Sequence, residues 1–275
     1  MPEGDTIFRA ARTLNRALAG QTVTRFHTVL PQLSRIDQDS PLAGRTVESV
    51  ESRGKWMLMR FSGDLILLTH MRMNGSWHIY RQGEAWRRGH QHMRIVIETC
   101  EFVVVGFDVP VAEFHTQASL AHHPSLTRLG PDVLGPEFDE QDAVARLRAL
   151  AEFQVGDALL RQSMVAGIGN VYKSEICFAC RVNPFRKVAS LTDDEVSCLI
   201  SKAHEFLRAN VTDTSDGIVT YRGFRRTTRR ADSGERLWVY DRRNQPCRRC
   251  GTPIRSHKQG ESARVTFWCP RCQPL

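Results

Sequence analysis

Four cysteines near the C-terminus have the types and spacing for metal binding. In "CRRCGTPIRSHKQGESARVTFWCPRC", Cys247 and Cys250 form one C-x2-C pair. Cys269 and Cys272 form a second, eighteen residues later. Each pair brings two thiolates to one knuckle, and four soft ligands complete a tetrahedral Zn2+ site. All four positions are filled by protein, so the expected zinc is structural, one per chain, not catalytic. Two disulfides are the alternative, and they fit poorly with a chain expected in a reducing compartment. Cys177 and Cys180 also spell C-x2-C, in "SEICFACRV". They lack a partner pair and read as small core thiols on a helix. The histidines of "GHQH" at 89–92 have no acidic or thiol neighbours in sequence and read as surface residues.

Two further stretches carry chemical possibilities. The chain begins "MPEGDT". Met1 is normally trimmed when Pro follows, leaving the Pro2 amine and the Glu3 carboxylate as the first two groups. Further on, "LLRQSMVAGIGNVYKSEI" reads as helix, tight turn, helix. Gly167 and Gly169 permit unusual backbone angles. Asn170 is expected to cap the second helix, whose exposed backbone donors suit a phosphate. This is no dinucleotide fingerprint, because the third glycine is missing and a helix, not a strand, precedes the turn. A purely structural helix-turn-helix remains the alternative.

These residues need elements to hold them. "GDTIFRAARTLNRALA" at 4–19 has apolar residues at three- and four-residue spacing, which predicts an amphipathic helix. Short alternating or apolar runs follow: "QTVTRFHTVL", "RTVESVES", "KWMLMRF", "DLILLTH", "SWHIY", "MRIVIET" and "EFVVVGF". Their lengths and intervening turn residues predict an antiparallel sandwich or barrel. "LGPDVLGPEFDEQD" at 129–142 reads as an interdomain linker. Helical periodicity resumes near 143 and is clearest at 191–210, where Thr192 and Glu195 have capping-box spacing. Residues 213–236 read as a long polar loop.

Length suggests two domains, or one with a small appendage. No apolar run is long enough to span a bilayer, and Glu3, Asp5 and Arg9 interrupt any signal-peptide pattern. A cytoplasmic location is therefore expected. The net charge is +8, and it is uneven. From Arg222 to Leu275 fourteen Lys or Arg face four Asp or Glu, a net +10. Aromatics are interleaved: Tyr221, Phe224, Trp238, Tyr240, Phe267 and Trp268. This pattern argues against a disordered tail and for a polyanionic partner, most often nucleic acid.

Taken together and in order, "PEGDT", "SRGKWMLMRF", "LTHMRMNGSW", "RLGPDVLG", "GIGNVYKSE" and "ARVTFWCPRCQ" resemble the formamidopyrimidine-DNA glycosylase/endonuclease VIII family over essentially the whole chain. The resemblance implies a multidomain α+β fold: an N-terminal antiparallel β-sandwich with an N-terminal helix (1–128), a linker (129–142), a helix-two-turn-helix domain (143–240) and a four-Cys zinc ribbon (241–275). It implies a monomer acting on damaged DNA, nucleoid-associated if bacterial, that excises oxidised bases and then cleaves the strand. Carried over residue by residue, Pro2 matches the family nucleophile and Glu3 the acidic residue beside it. Lys55 in "RGKW" matches the essential lysine, Asn170 the turn asparagine that grips phosphate, and Arg264 the ribbon arginine. Arg128 in "RLGPD" matches a DNA-contacting arginine of the endonuclease VIII branch. Arg72, Met73 and Asn74 lie where the family inserts side chains into the base stack, with a core-facing Met73 as the alternative.

Departures bear on substrate. The 8-oxoguanine branch carries an Arg-Phe wedge after a later sandwich strand, and this chain has "GFDVPVAEFHT" there. Oxidised pyrimidines are therefore the favoured substrates, with a purine-directed enzyme of the same family, or a non-catalytic DNA-binding scaffold, as alternatives. Arg161 in "LLRQ" stands where the family often has Asp.

Overall fold

The structure is a computed structural model. It describes residues 2–212, 225–228 and 236–275. The expected 213–236 loop falls largely outside the described residues. The described chain forms two compact units that divide between Thr127 and Arg128.

The first unit opens with α1 (Gly4–Leu18), followed by β1 (Arg25–Thr28) and α2 (Pro31–Asp39). Seven strands follow: β2 (Val47–Arg53), β3 (Trp56–Phe61), β4 (Leu65–His70), β5 (Ser76–Arg81), β6 (Met93–Glu98), β7 (Phe102–Phe107) and β8 (Val111–His115). Two short helices, α3 (Gln117–Ala121) and α4 (Pro124–Thr127), end the unit. The strands make two four-stranded antiparallel sheets, ordered β2-β3-β4-β8 and β1-β6-β7-β5. Met57, Met59 and Leu67 of the first sheet share one apolar core with Trp77, Ile95, Ile97 and Val104 of the second. The apolar stripe of α1, Ile7, Ala11, Leu14 and Leu18, joins the same core. Asn15 Oδ1 fixes the helix further by accepting from Val50 N of β2 at 2.7 Å.

The chain passes from one sheet to the other through a tight turn between β4 and β5. Gly75 N donates to Met71 O at 2.9 Å. A Cβ on Gly75 would lie 2.7 Å from that carbonyl oxygen, so only glycine fits. Met71 is buried, whereas Arg72, Met73 and Asn74 project outward.

The second unit contains α5 (Glu140–Arg148), α6 (Val155–Ala158), α7 (Asn170–Ala179), α8 (Asp193–Val211) and the hairpin β9 (Arg255–Gln259)–β10 (Arg264–Trp268). Thr192 and Glu195 form the expected capping box on α8. Residues 129–135 are less slack than their composition predicts. Gly130 N donates to Gln162 O, Ala166 N donates to Pro131 O, and Val133 is fully buried. The Gly and Pro residues here serve close packing rather than freedom of movement. The reading of Cys180 as a solitary core thiol is corrected: it is disulfide-bonded to Cys198. Packing of α7 beside α8 brings their Cα atoms within 5.9 Å, a proximity that no local spacing encodes.

Gly75→Ala is expected to cost about 1–3 kcal/mol, the usual penalty for overpacking a closed site. Equilibrium denaturant unfolding measures this, and an unchanged midpoint would show that the turn yields without cost.

Candidate active site

In the first unit, Pro2 leads into α1 and is partly buried. Glu3 is the N-cap residue of α1: it has extended backbone angles, and its carbonyl accepts from Thr6 N at 3.0 Å and Ile7 N at 3.1 Å. Its side chain is fully buried. A carboxylate at this end of a helix is favoured by the helix dipole. Asp5 and Arg9, one turn apart, form a buried ion pair at 3.3 Å that stiffens the first turn. Pro2 and Glu3 are therefore attached directly to a helix locked into the core. Further along the same helix, α1, the 71–75 turn and β5 line a cavity of about 130 Å³, with Thr6, Met71, Gly75, Trp77 and His78 among its walls.

Lys55 occupies the second position of a two-residue turn. Arg53 and Trp56 pair across the β2–β3 hairpin, leaving Gly54 and Lys55 at its tip. Trp56 pairs with His70 on β4, and their rings meet edge-on at 4.9 Å. His70 Nδ1 accepts from Arg72 N at 3.0 Å, tying the end of β4 to the exposed turn. Burial, then the positive charges of Lys55 and Arg72, push the His70 imidazole down to about 4. Both cations thus act on a histidine that is held neutral. Arg72 has φ +46°, a left-handed conformation that L side chains rarely adopt. Met73 is 53% exposed, so the core-facing alternative is excluded for this residue. Neighbouring Met71 fills that role, at 2% exposed.

In the second unit the "GIGN" turn is held by Gln162, which sequence reading missed. Gln162 Oε1 accepts from Gly167 N at 3.0 Å, and its Nε2 donates to Ile168 O at 2.9 Å. Gly167 has φ +103°, as its type allowed. The helix cap differs from expectation. Gly169 is the N-cap of α7 and Asn170 is the first helical residue. Rather than capping, Asn170 donates from Nδ2 to Val265 O of β10 at 2.9 Å. This bond sets the turn beside the strand that begins with Arg264, whose side chain is exposed. Arg128 is exposed at the start of the same unit. Arg161 stacks on Phe153, its guanidinium carbon 3.9 Å from the ring centroid, and lies 4.0 Å from Asp157.

Beneath these tips lies a buried polar frame. Lys173 Nζ donates to Thr266 Oγ1 at 2.6 Å, and Thr266 donates to Gln259 Oε1 at 2.7 Å. Glu175 accepts from the backbone amides of Trp238, Val239 and Tyr240 at 2.7–2.8 Å, and from Thr227. Burial pushes its carboxyl up, while these four donors oppose that shift. Cys177 is buried as expected, and burial pushes its thiol up to about 12, which leaves it inert.

Cys247, Cys250, Cys269 and Cys272 converge. Cys247 Sγ is 3.9 Å from Cys272 Sγ, and Cys250 Sγ is 3.5 Å from Cys269 Sγ. Zinc–thiolate bonds of about 2.3 Å place tetrahedral sulfurs roughly 3.8 Å apart. The set therefore fits one structural zinc. Gln273 anchors the knuckle, accepting from Cys269 N at 2.9 Å and donating to Val182 O at 2.8 Å. The histidines at 90 and 92 divide. His90 is exposed, but His92 lies 3.1 Å from Asp108, an acidic neighbour far off in sequence.

Three domain families match in order: the formamidopyrimidine-DNA glycosylase N-terminal domain over residues 1–107, its H2TH domain over 129–221, and the zinc finger found in FPG and IleRS over 244–275. The chain belongs to the formamidopyrimidine-DNA glycosylase/endonuclease VIII family. Among its relatives is the Streptomyces coelicolor protein named "Probable endonuclease 8 2", 41% identical over 99% of this chain and 94% of that one. The Mycolicibacterium smegmatis "DNA-(apurinic or apyrimidinic site) lyase Nei2" is 37% identical over 99% of both chains. In fold, the chain is similar to Lactococcus lactis Fpg in complex with abasic-site DNA, with a TM-score of 0.82 and 21% identity over the whole of both chains.

The depressed His70 value predicts a pH dependence. The unfolded chain takes up a proton near the ordinary 6.5, while the folded chain resists protonation until about 4. The stabilising effect of a neutral His70 is thus complete above pH 6.5 and is lost as pH falls from 6.5 towards 4. His70→Gln should flatten the melting-temperature profile across that window. A parallel profile in the variant would assign the acid sensitivity elsewhere.

Proposed function

We propose that this enzyme, a base-excision-repair DNA glycosylase and AP lyase, works through the Pro2 amine on oxidised bases, pyrimidines foremost. The observation that supports it most directly is the placement of Pro2 and a buried Glu3 at the head of a helix anchored in the core. With Met1 removed, Pro2 is a secondary amine with an ordinary pKa near about 8, so a usable neutral fraction exists at cellular pH. Its nitrogen lone pair forms a bond to deoxyribose C1′ as the bond to the damaged base breaks, and the base leaves with a proton. Glu3 protonates the ring oxygen as the sugar opens. The resulting iminium has no N–H to lose, so it stays charged and acts as an electron sink. A C2′ proton is then lost and the C3′–O bond breaks, releasing phosphate. A second elimination at C5′ completes β,δ-cleavage, and water hydrolyses the Schiff base.

Other residues position the DNA. Lys55 and Arg72, whose positive charges both act on neutral His70, orient the sugar and its phosphates. Arg72, Met73 and Asn74 sit on an exposed tight turn, as a wedge into a base stack requires. Asn170, Arg264 and Arg128 contact phosphates, a positioning role rather than base reading. Access by damaged bases is consistent with the short 108–110 connection between β7 and β8, which lacks the purine branch's wedge pair. We place the enzyme in the cytoplasm as a monomer, nucleoid-associated if bacterial. Among the described residues no helix is long and apolar enough to cross a membrane.

Borohydride should trap a covalent protein–DNA adduct on abasic DNA, and peptide mapping should put it on the N-terminal peptide. Retaining Met1 converts the Pro2 nitrogen to a tertiary amide without an available lone pair. Trapping and cutting should then vanish while DNA binding, dominated by the basic C-terminal segment, survives. Undiminished trapping by the Met1-retaining protein would move the nucleophile elsewhere, with Lys55 the next suspect.

Arg264→Ala should keep its zinc and its melting temperature yet lose about 10- to 150-fold in cleavage. That range is the worth of one charge-assisted phosphate contact, roughly 1.5–3 kcal/mol. Full activity in the zinc-loaded variant would remove Arg264 from the phosphate clamp.

A further inference from the structure

Glu113, His115 and His123 bring three ligand atoms within 4.8 Å of one another, wholly inside the first unit and separate from the four-Cys finger. Glu113 and His115 are two apart on β8 and share one face. His123 arrives from the junction of α3 and α4. Both imidazoles point at the same carboxylate oxygen: His115 Nε2 is 3.1 Å and His123 Nε2 is 3.4 Å from Glu113 Oε2. Ligands about 2.0–2.1 Å from a tetrahedral cation stand roughly 3.3 Å apart. The spacing is that of a ligand set.

The surroundings of His115 argue the same way. Ser119 Oγ lies 3.1 Å from His115 Nδ1 and so holds the ring by the nitrogen that faces away from Glu113. A second-sphere contact of this kind, with Nδ1 orienting Nε2, is usual for metal-bound histidine. His123 adds an independent observation. Its side chain is 10% exposed, and its Nδ1 is buried with no partner among the described residues. Trp56 packs edge-on against it at 5.2 Å, so the ring's orientation is fixed by packing.

We propose that Glu113, His115 and His123 bind an exchangeable first-row divalent transition-metal cation of the zinc or cobalt class, a second metal site distinct from the structural zinc. Two imidazoles and one carboxylate suit such ions better than magnesium or calcium, which prefer all-oxygen shells. Glu113, 44% exposed, provides the solvent-facing side through which the ion enters and exchanges. The bound ion would cross-link the end of β8 to the α3–α4 segment beneath Trp56, the residue that follows Lys55.

The test uses the full chain cleared of exchangeable metal with EDTA, its finger zinc counted by release with a thiol reagent. Cobalt(II) should bind as one further ion per chain. It should give the visible d–d bands of a tetrahedral site without the thiolate-to-cobalt charge-transfer band that exchange into the finger would produce. Zinc should compete and magnesium should not. Glu113→Gln and His115→Gln should each weaken cobalt binding at least about 10-fold while leaving the finger zinc in place. Ser119→Ala, which removes the orienting contact at His115 Nδ1 together with the Ser119 Oγ bonds to Thr116 that cap α3, should weaken it by about 10- to 100-fold. The proposal is overturned if the wild-type chain takes up no cobalt beyond the finger, or if Glu113→Gln binds it equally well. Either result would leave the three side chains as a hydrogen-bonded cluster that holds no metal.

Discussion

The contact on which the second unit's functional geometry depends is the seam between the first turns of α7 and the strand β10. Asn170, Lys173 and Ser174, on one face of the helix, meet Val265, Thr266 and Phe267 in register. A helix N-terminus and a strand edge both expose backbone polar groups, and burying either one without partners is costly. Here polar side chains of the helix satisfy the strand. The chain of bonds continues from buried Thr266 and Gln259 out to Gln154 at the surface, so the finger hairpin, α7 and the approach to α6 share one network. Such a network is stabilising only when nearly complete, and it then fixes a single arrangement. The "GIGN" turn and Arg264 inherit their mutual position from it.

Glu175 extends the same logic. A fully buried carboxylate is expensive unless hydrogen-bonded. Its two oxygens are filled by three successive backbone amides and a threonine hydroxyl, and this fastens the 238–240 segment, which leads into the first cysteine knuckle, to α7. Zinc binding and helix packing are thereby coupled. The knuckle is not a detached finger but is tied at both ends, through Glu175 before it and through Gln273 to Val182 after it.

Legibility in the sequence followed the range of the interactions. Strands β1 to β7, α1 and α8 were visible because alternation, helical spacing and a capping box are local patterns, whereas the five-residue β8 was not among the runs read as strands. The zinc ligands were visible because each knuckle is a four-residue device. Helix α2 carried no signal, since Leu33 is its only buried residue and gives no periodicity. Asn170 was misread as a cap because its true partner lies 95 residues away. Cys198, Gln162 and the convergence of His123 on Glu113 were likewise invisible: each depends on which elements pack together, not on any motif.

A division of labour between residues explains why the side chains proposed to meet DNA can be so exposed. Arg72, Met73, Asn74, Arg128 and Arg264 bury little, so folding places few demands on their identity. Their backbones are another matter. Gly75 closes the 71–75 turn against the Met71 carbonyl, and Arg72 is held in a left-handed conformation worth about 1–2 kcal/mol of strain for a non-glycine residue. Strain of that size persists only where the surroundings over-determine it. Here they do: the buried Met71, the Gly75 hydrogen bond and the Arg72 N–His70 Nδ1 bond hold three successive points of the turn. Keeping His70 neutral is part of the same arrangement, because an imidazolium would surrender the acceptor that receives Arg72 N and set a third positive charge beside Lys55 and Arg72. The buried polar residues thus carry the cost of geometry, and the exposed ones are left free to meet a polyanion.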